Sequence, residues 1–300
     1  MSHWKPLLLH LYYYGSYPLR RRYLRQAVAA GRVPMAVLFY HRVADDQANE
    51  WTLSHRMFAR QIRWLRSRFE LISLQEVQRR MHLGTNRRPC VSITFDDGYA
   101  DNCREAIPLL IKQRIPCTYF VATENVLHGR PFPHDAALGR PLEPNTLEEL
   151  RVMADAGIEI GAHTYTHADL GRIDDPQQLR REVITAGEDL RAALERPVRY
   201  FAFPIGHHAN LSRAAFDLAY GAGYLAACSA YGGFNFPGDD PFHVQRIAAD
   251  ETMIRLKNWT TLDPRKLGTP RFAYEPPAVG QVSSQSAVAG DAKPAREGCP

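Results

Sequence analysis

The stretch CVSITFDDG, residues 90–98, decides how the rest of the 300-residue chain is read. Cys90–Phe95 is a short apolar and β-branched run, and Asp96-Asp97-Gly98 ends it with turn-forming residues. The stretch is therefore predicted to be a buried strand with two carboxylates just past its C-terminal end. Upstream, Met35–Tyr40 is a second such run. Between the two, a helix opens at Ser54 and places Phe58, Ile62, Leu65 and Phe69 on one stripe. Residues 71–74 read as a further strand, and Ser73 with Glu76 as a capping box.

Downstream the alternation continues. A helix is predicted over 102–113, a strand over 117–122, and a helix capped by Thr146 and Glu149 that Gly157 ends. Strands follow at 158–161, 198–203, 224–229 and 243–248, and Asp175-Pro176 starts a long charged helix running to Glu195. From Pro34 to Ala248 the chain is thus a series of βα units, which predicts an α/β fold with a mostly parallel sheet or barrel. Three segments result: a basic stretch over 1–32, a main domain over 33–275, and a Pro/Ala/Gly/Ser tail over 276–300, read as disordered. The connection over 123–145 is far longer than an ordinary βα loop and is predicted to be a lid or substrate loop.

Composition bounds the function. Apolar residues are 45% and charged residues 23%, as in soluble globular enzymes. The net charge of +5 is concentrated in Arg20, Arg21, Arg22, Arg25 and Arg32. A cluster that local does not point to nucleic acid. Interleaved with Tyr12, Tyr13, Tyr14, Tyr17 and Tyr23, it could rest on an anionic membrane surface or a lipid-linked glycan precursor, or be a solvated basic helix face. Residues 7–11 are too short an apolar run to span a membrane, and no cleavage site marks a signal peptide. Cys90, Cys103, Cys117, Cys228 and Cys299 form no C-x-x-C pair and leave one over, as expected of reduced thiols. The default compartment is the cytoplasm, with peripheral contact at the inner membrane face as the variant.

Singly, Asp96-Asp97-Gly98 is an acidic turn, and His163-Thr-Tyr-Thr-His167 a pair of loop histidines. Together they say more, because both groups stand just past the C-terminal ends of strands, where working residues collect in parallel βα folds. Two imidazoles and one carboxylate make the three-ligand set of a catalytic Zn²⁺ site, and another divalent transition metal is possible. The same set also serves Fe(II) oxygenases, but those stand on all-β double sheets.

The residues Thr94-Phe95-Asp96-Asp97-Gly98 and His163-x-x-x-His167 resemble the first two motifs of the polysaccharide deacetylases with a NodB-type domain. The resemblance covers roughly residues 33–248. It implies a distorted (β/α) barrel, Asp96 as the catalytic base and Asp97, His163 and His167 as metal ligands. The expected activity is hydrolysis of N-acetyl groups on an amino sugar or polysaccharide. The third motif departs from that of better-known members, since residues 201–206 (FAFPIG) carry no arginine, and the usual late histidine motif is not evident. Both departures resemble the branch that contains poly-N-acetylglucosamine deacetylases, in which Tyr40-His41 at the end of the first strand would supply the acid. A barrel closes its first strand against its last, so His41 can take the place of a late histidine, and Arg246 can replace the missing arginine and orient Asp96. The Ile205 N–H would serve the oxyanion, and His243 is the fallback acid. Two other outcomes are a glycan-binding protein without turnover, or a hydrolase of another linear amide.

Overall fold

A computed structural model describes residues 4–250 and 252–275. The strands are β1 Met35–Tyr40, β2 Arg42–Val43, β3 Thr52–Leu53, β4 Glu70–Leu71, β5 Cys90–Phe95, β6 Cys117–Val121, β7 Glu159–Ala162, β8 Tyr200–Ala202, β9 Ala226–Cys228, β10 His243–Val244 and β11 Ile247–Ala248. Every pairing in the main sheet is parallel, in the order β10-β9-β8-β7-β6-β5-β1-β11, with β4 added beside β5. The two edges, β10 and β11, are separated in sequence only by Gln245 and Arg246. That short link brings the edges together, so the sheet curls into the distorted (β/α) barrel that the resemblance implies.

The stretch 243–248, read as one strand, is therefore two half-strands at the barrel seam. Val244 pairs with Cys228 on one side and Ile247 with Leu38 on the other. Strand alternation then sorts the side chains. Met35 and Val37 of β1, Cys90 of β5, Phe120 of β6, Tyr200 and Ala202 of β8, and Val244 of β10 pack as one interior cluster. The opposite parity faces the helices, with Leu38, Ile93, Tyr119, Phe201 and Ile247 in the larger core. Because β1 and β5 are covered on both faces, all their residues are buried, which is why they read as unbroken apolar runs. Gly161 of β7 is required here: a Cβ on it would lie 2.5 Å from the Phe120 ring inside the barrel.

Several boundaries differ from expectation for identifiable reasons. Residues 72–74 are not strand, because Ser73 caps the helix Leu74–His82 by accepting from the Glu76 N–H. The return half of that capping box is missing, since the Glu76 carboxylate binds Arg79 and Arg80. The helix expected over 102–113 splits into a 3₁₀ turn, Ala100–Cys103, and a helix, Ala106–Lys112. Asn102 is held outward of helical continuation by its bonds to the Val43 N–H and the His41 carbonyl. The long charged helix runs Pro176–Arg180, a π-turn Arg181–Thr185, then Ala186–Leu194. The 123–145 connection is folded, with short helices Thr123–His128 and Pro133–Ala137 and with Phe132, Asp135 and Leu142 buried.

The basic segment is a helix, Trp4–Ala30, lying against the helix Met253–Thr260. Arg20 is not a solvated arginine: it is 3% exposed and binds the Asn258 carbonyl and side-chain oxygen. Among the described residues no helix is long and apolar enough to cross a membrane, and Cys90, Cys103, Cys117 and Cys228 are free thiols. The predicted disordered tail and Cys299 lie outside the described residues.

Candidate active site

Interior parity carries straight into the site. The inward positions of β5, Cys90, Ser92 and Thr94, are followed by Asp96. Those of β1 are followed by His41, and Gly161 of β7 is followed by His163. These side chains therefore gather at the C-terminal mouth of the barrel. Asp97 has the wrong parity but a φ of 73°, a left-handed turn that swings it back toward its neighbours. His167, with φ 61°, returns across the loop that begins at His163. Thr164 and Ile205, both β-branched, are also left-handed at φ 62° and 60°. Four such residues at the ends of β5, β7 and β8 mark a backbone held in place by its surroundings.

The ligand atoms of Asp97, His163 and His167 all lie within 4.8 Å of one another. Asp97 Oδ1 stands 3.1 Å from His167 Nε2 and 3.5 Å from His163 Nε2, is buried, and accepts no well-aligned hydrogen bond. A buried carboxylate oxygen facing two imidazole nitrogens without a donor fits a cation between them. The His163 ring is prepared for this. Its Nδ1 lies 2.8 Å from the Ala202 carbonyl, which only accepts, so Nδ1 carries the hydrogen and Nε2 presents its lone pair. Burial pushes the His163 pKa down to about 4, keeping the ring neutral. Asp97 is held below the usual carboxylate range: burial opposes this, but His167, His41 and His163 outweigh it.

The loop between the two histidines is pinned from behind. Glu182, fully buried in the π-turn, accepts from the N–H of Tyr165 at 2.9 Å, the N–H of Thr166 at 2.8 Å and the Thr166 hydroxyl at 2.7 Å. A π-turn re-aims one residue in an otherwise regular helix, a feature that collects at functional sites. The N–H groups of Thr123 and Glu124 bind the carbonyls of Thr164 and Tyr165 from the other side.

Asp96 lies beside the cluster, its Oδ2 4.0 Å from His163 Nε2. Arg246 grips it with a two-pronged bond, Nη1 to Oδ1 at 2.6 Å and Nη2 to Oδ2 at 2.9 Å. The guanidinium is fully buried between the Phe39 and Phe120 rings and also donates to Thr94 Oγ1 and the Ser229 carbonyl. The seam position is what aims it inward, two residues after inward Val244.

His41 Nδ1–H donates to Asp250 Oδ2 at 2.5 Å, and its backbone N–H donates to Asp250 Oδ1 at 3.2 Å. Burial would lower the His41 pKa, but Asp250, helped by Asp97 and Asp96, raises it to about 9, so the ring is charged at neutral pH. The fallback acid, His243, is buried instead among Phe216, Tyr231 and Phe272, bonded to Ser229, and pushed down to about 3 by burial. At neutral pH it is not the imidazolium that a general acid needs to be. Ile205 follows β8 at the mouth, and among the described residues its N–H has no acceptor.

Sequence reading missed Asp250 and Glu182, and also Trp51, whose ring lies 6.0 Å from His41 and 5.7 Å from His134. His134, from the 123–145 connection, is in turn 5.7 Å from the His167 ring, so that connection forms one wall of the site. Behind it, fully buried Asp135 accepts from Tyr99 and Asn49. An acid two residues past the last strand was the available signal for Asp250; nothing in the sequence marks Trp51.

Comparison with known proteins agrees with this layout. The model of the polysaccharide deacetylase family matches residues 83–223. A chitooligosaccharide deacetylase of Bradyrhizobium sp. (strain ANU 289) is 31% identical over 118 residues, 39% of this chain and 46% of that one. YxkH of Bacillus subtilis (strain 168), whose name places it provisionally among polysaccharide deacetylases, is 25% identical over 58% of this chain and 57% of its own. The chain thus spans about half the length of these curated relatives. Among solved structures, IcaB from Ammonifex degensii superposes with a TM-score of 0.62 at 24% identity, covering 76% of this chain and 97% of that one. The Streptococcus pyogenes deacetylase PplD, in complex with acetate, gives 0.61 at 20% identity, covering 79% and 99%. Both likenesses are of fold.

Proposed function

Residues 83–223 match the model of the polysaccharide deacetylase family, and from that match we propose that the chain hydrolyses N-acetyl groups on an amino sugar, as part of a polysaccharide or of a lipid-linked glycan precursor, releasing acetate. The observation that carries this reading is the convergence of the Asp97–His163–His167 cluster with the Arg246-held carboxylate of Asp96 at one barrel mouth. Asp97, His163 and His167 would hold the metal, with Zn²⁺ best suited to two imidazoles and one carboxylate. Bound there, it would supply a Lewis acid and acidify water at the site.

The chain's own groups do the rest. Asp96, oriented by the Arg246 fork, takes the proton of the attacking water. His41 enters charged, held by Asp250, and protonates the departing nitrogen so that a neutral amine leaves. The unpartnered Ile205 N–H, fixed by its left-handed backbone, is available to the developing oxyanion. Trp51 and His134 offer the apolar faces against which a sugar ring can rest.

The test is acetate release by purified, metal-loaded protein across acetylated chito-oligosaccharides, poly-N-acetylglucosamine, peptidoglycan and lipid-linked precursors. Release from one class and not the others assigns the substrate. No release from any, with metal bound, leaves a glycan-binding protein on the same fold or a hydrolase of another linear amide.

A further inference from the structure

The helix Trp4–Ala30 is apolar on two faces, and only one of them is used. Its inner face is fastened to the domain: Tyr12 donates to Asp263 at 2.7 Å, Arg20 binds Asn258, and the Leu9 carbonyl accepts from the Asn258 side chain. Its outer face carries Trp4, Leu7, Leu8, Leu11, Tyr14 and Leu19, all exposed, with Leu7 and Leu11 at 61% and Tyr14 at 65%. At about 100° per residue these six fall within one arc of roughly 140°. Arg22 and Arg25 lie on the same arc toward the helix end and are exposed as well. Eight of the thirteen exposed large apolar residues among those described belong to this one helix. That concentration is a patch rather than the usual scatter of single residues.

Charge says what would cover it. The helix contains Lys5, Arg20, Arg21, Arg22 and Arg25 and no Asp or Glu. Two shallow depressions flank it: Trp4 and Leu8 with Arg255 and Arg265, and Tyr14, Tyr17 and Trp64 with Arg68 and Lys257. Neither has a carboxylate in its lining. Asp263, beside the helix, is buried and bonded to Tyr12 and Arg265. A second copy meeting this face through a two-fold axis would bring it no carboxylate for its arginines. Nucleic acid would satisfy the arginines but leave the Leu7, Leu8 and Leu11 row in water. We propose that this face docks in the interface of an anionic bilayer, its leucines and Trp4 at the level of the acyl boundary and Arg22 and Arg25 among acidic headgroups.

The full chain is sedimented with vesicles of phosphatidylcholine alone and with vesicles of equal parts phosphatidylcholine and phosphatidylglycerol. Binding is expected only to the mixed vesicles. Leu7→Glu with Leu11→Glu should weaken it at least roughly tenfold, because two buried apolar contacts become charges. Arg22→Glu with Arg25→Glu should weaken it too, most at low salt. The melting temperature should not move in either variant, since none of the four side chains is packed in the core. Any of these results overturns the proposal: no binding to the mixed vesicles, binding that both leucine changes leave intact, or a wild-type dimer in light scattering that the leucine variant turns into a monomer. Salt-sensitive binding to a random polynucleotide, with vesicle binding absent, overturns it in favour of nucleic acid.

Discussion

Asp250 holds His41 twice, at the ring through Nδ1 and at the backbone through N–H, so one carboxylate fixes both the position and the charge of the imidazole. The first bond orients the ring with Nε2 free, and the second ties β1 to the segment after β11 across the barrel seam. The position and charge of His41 therefore depend on Asp250 more than on its own sequence context.

Asp250→Asn should therefore change a pH profile rather than only a rate. The His41 pKa is raised to about 9, so the ring is charged below that pH and loses its proton as pH rises through it. The alkaline limb of kcat/KM should fall near pH 9 in the wild type and move toward the ordinary histidine value of about 6.5 in Asp250→Asn. The same sign applies to stability: the contribution from charging His41 is complete below about 6.5 and is lost as pH rises through 9, as long as Asp250 stays ionised. An unmoved alkaline limb would assign it to another group.

Asp96→Asn should retain metal, measured by elemental analysis, and lose about 10²–10⁴-fold in kcat, because an amide accepts no proton from water. Asp97→Ala, His163→Ala and His167→Ala should instead strip the metal. Arg246→Gln removes the partner of a buried carboxylate, which typically costs about 3–5 kcal/mol and should show as a lower melting temperature together with lost activity. Equal metal loss in Asp96→Asn and Asp97→Ala would mean that the two carboxylates are not divided between base and ligand.

Glu182→Gln tests the loop between the two histidines. Three donors converge on the carboxylate, and an amide can accept them only through one oxygen. Metal affinity should fall by about 10–100-fold, as for other groups that orient metal ligands, while the imidazoles themselves are untouched. Titration calorimetry with Zn²⁺ measures it, and unchanged affinity would leave Glu182 with a purely structural part.

The barrel was legible because β1 and β5 are buried on both faces and so read as unbroken apolar runs of the right length, with the site acids just beyond. Period-two alternation then carried His41, Asp96, His163 and Arg246 to one side of the sheet. Three things escaped. The split of 243–248 between two strands depends on closure, a long-range event with no local mark. The π-turn that aims Glu182 looks in sequence like the middle of any charged helix. The partnership of His41 with Asp250 joins residues 209 positions apart, and only the seam brings them together.

The wall formed by the 123–145 connection should act on substrate rather than on metal. Trp51→Ala and His134→Ala remove rings that border His41 and His167 without touching a ligand atom. KM for an oligosaccharide should rise with the metal content unchanged, and the effect should shrink for a single acetylated sugar that cannot reach across both rings. Identical kinetics on long and short substrates would remove this wall from recognition.

The last test asks whether His41 is the acid. His41→Ala should keep the fold and metal and lower kcat on amides by about 10²–10⁴-fold. Amide hydrolysis expels a strongly basic nitrogen that must be protonated as the bond breaks. An aryl acetate expels a phenolate that is stable unprotonated, so its hydrolysis needs the attacking water, Asp96 and the oxyanion site but little from His41. Turnover of the ester should therefore survive His41→Ala far better than turnover of the amide, and the alkaline limb near pH 9 should be weak for the ester even in the wild type. His243, neutral and sequestered behind Phe216, is not placed to take over. Losses of equal size on ester and amide would place His41 in substrate positioning, and the proton for the amine would then have to come from water.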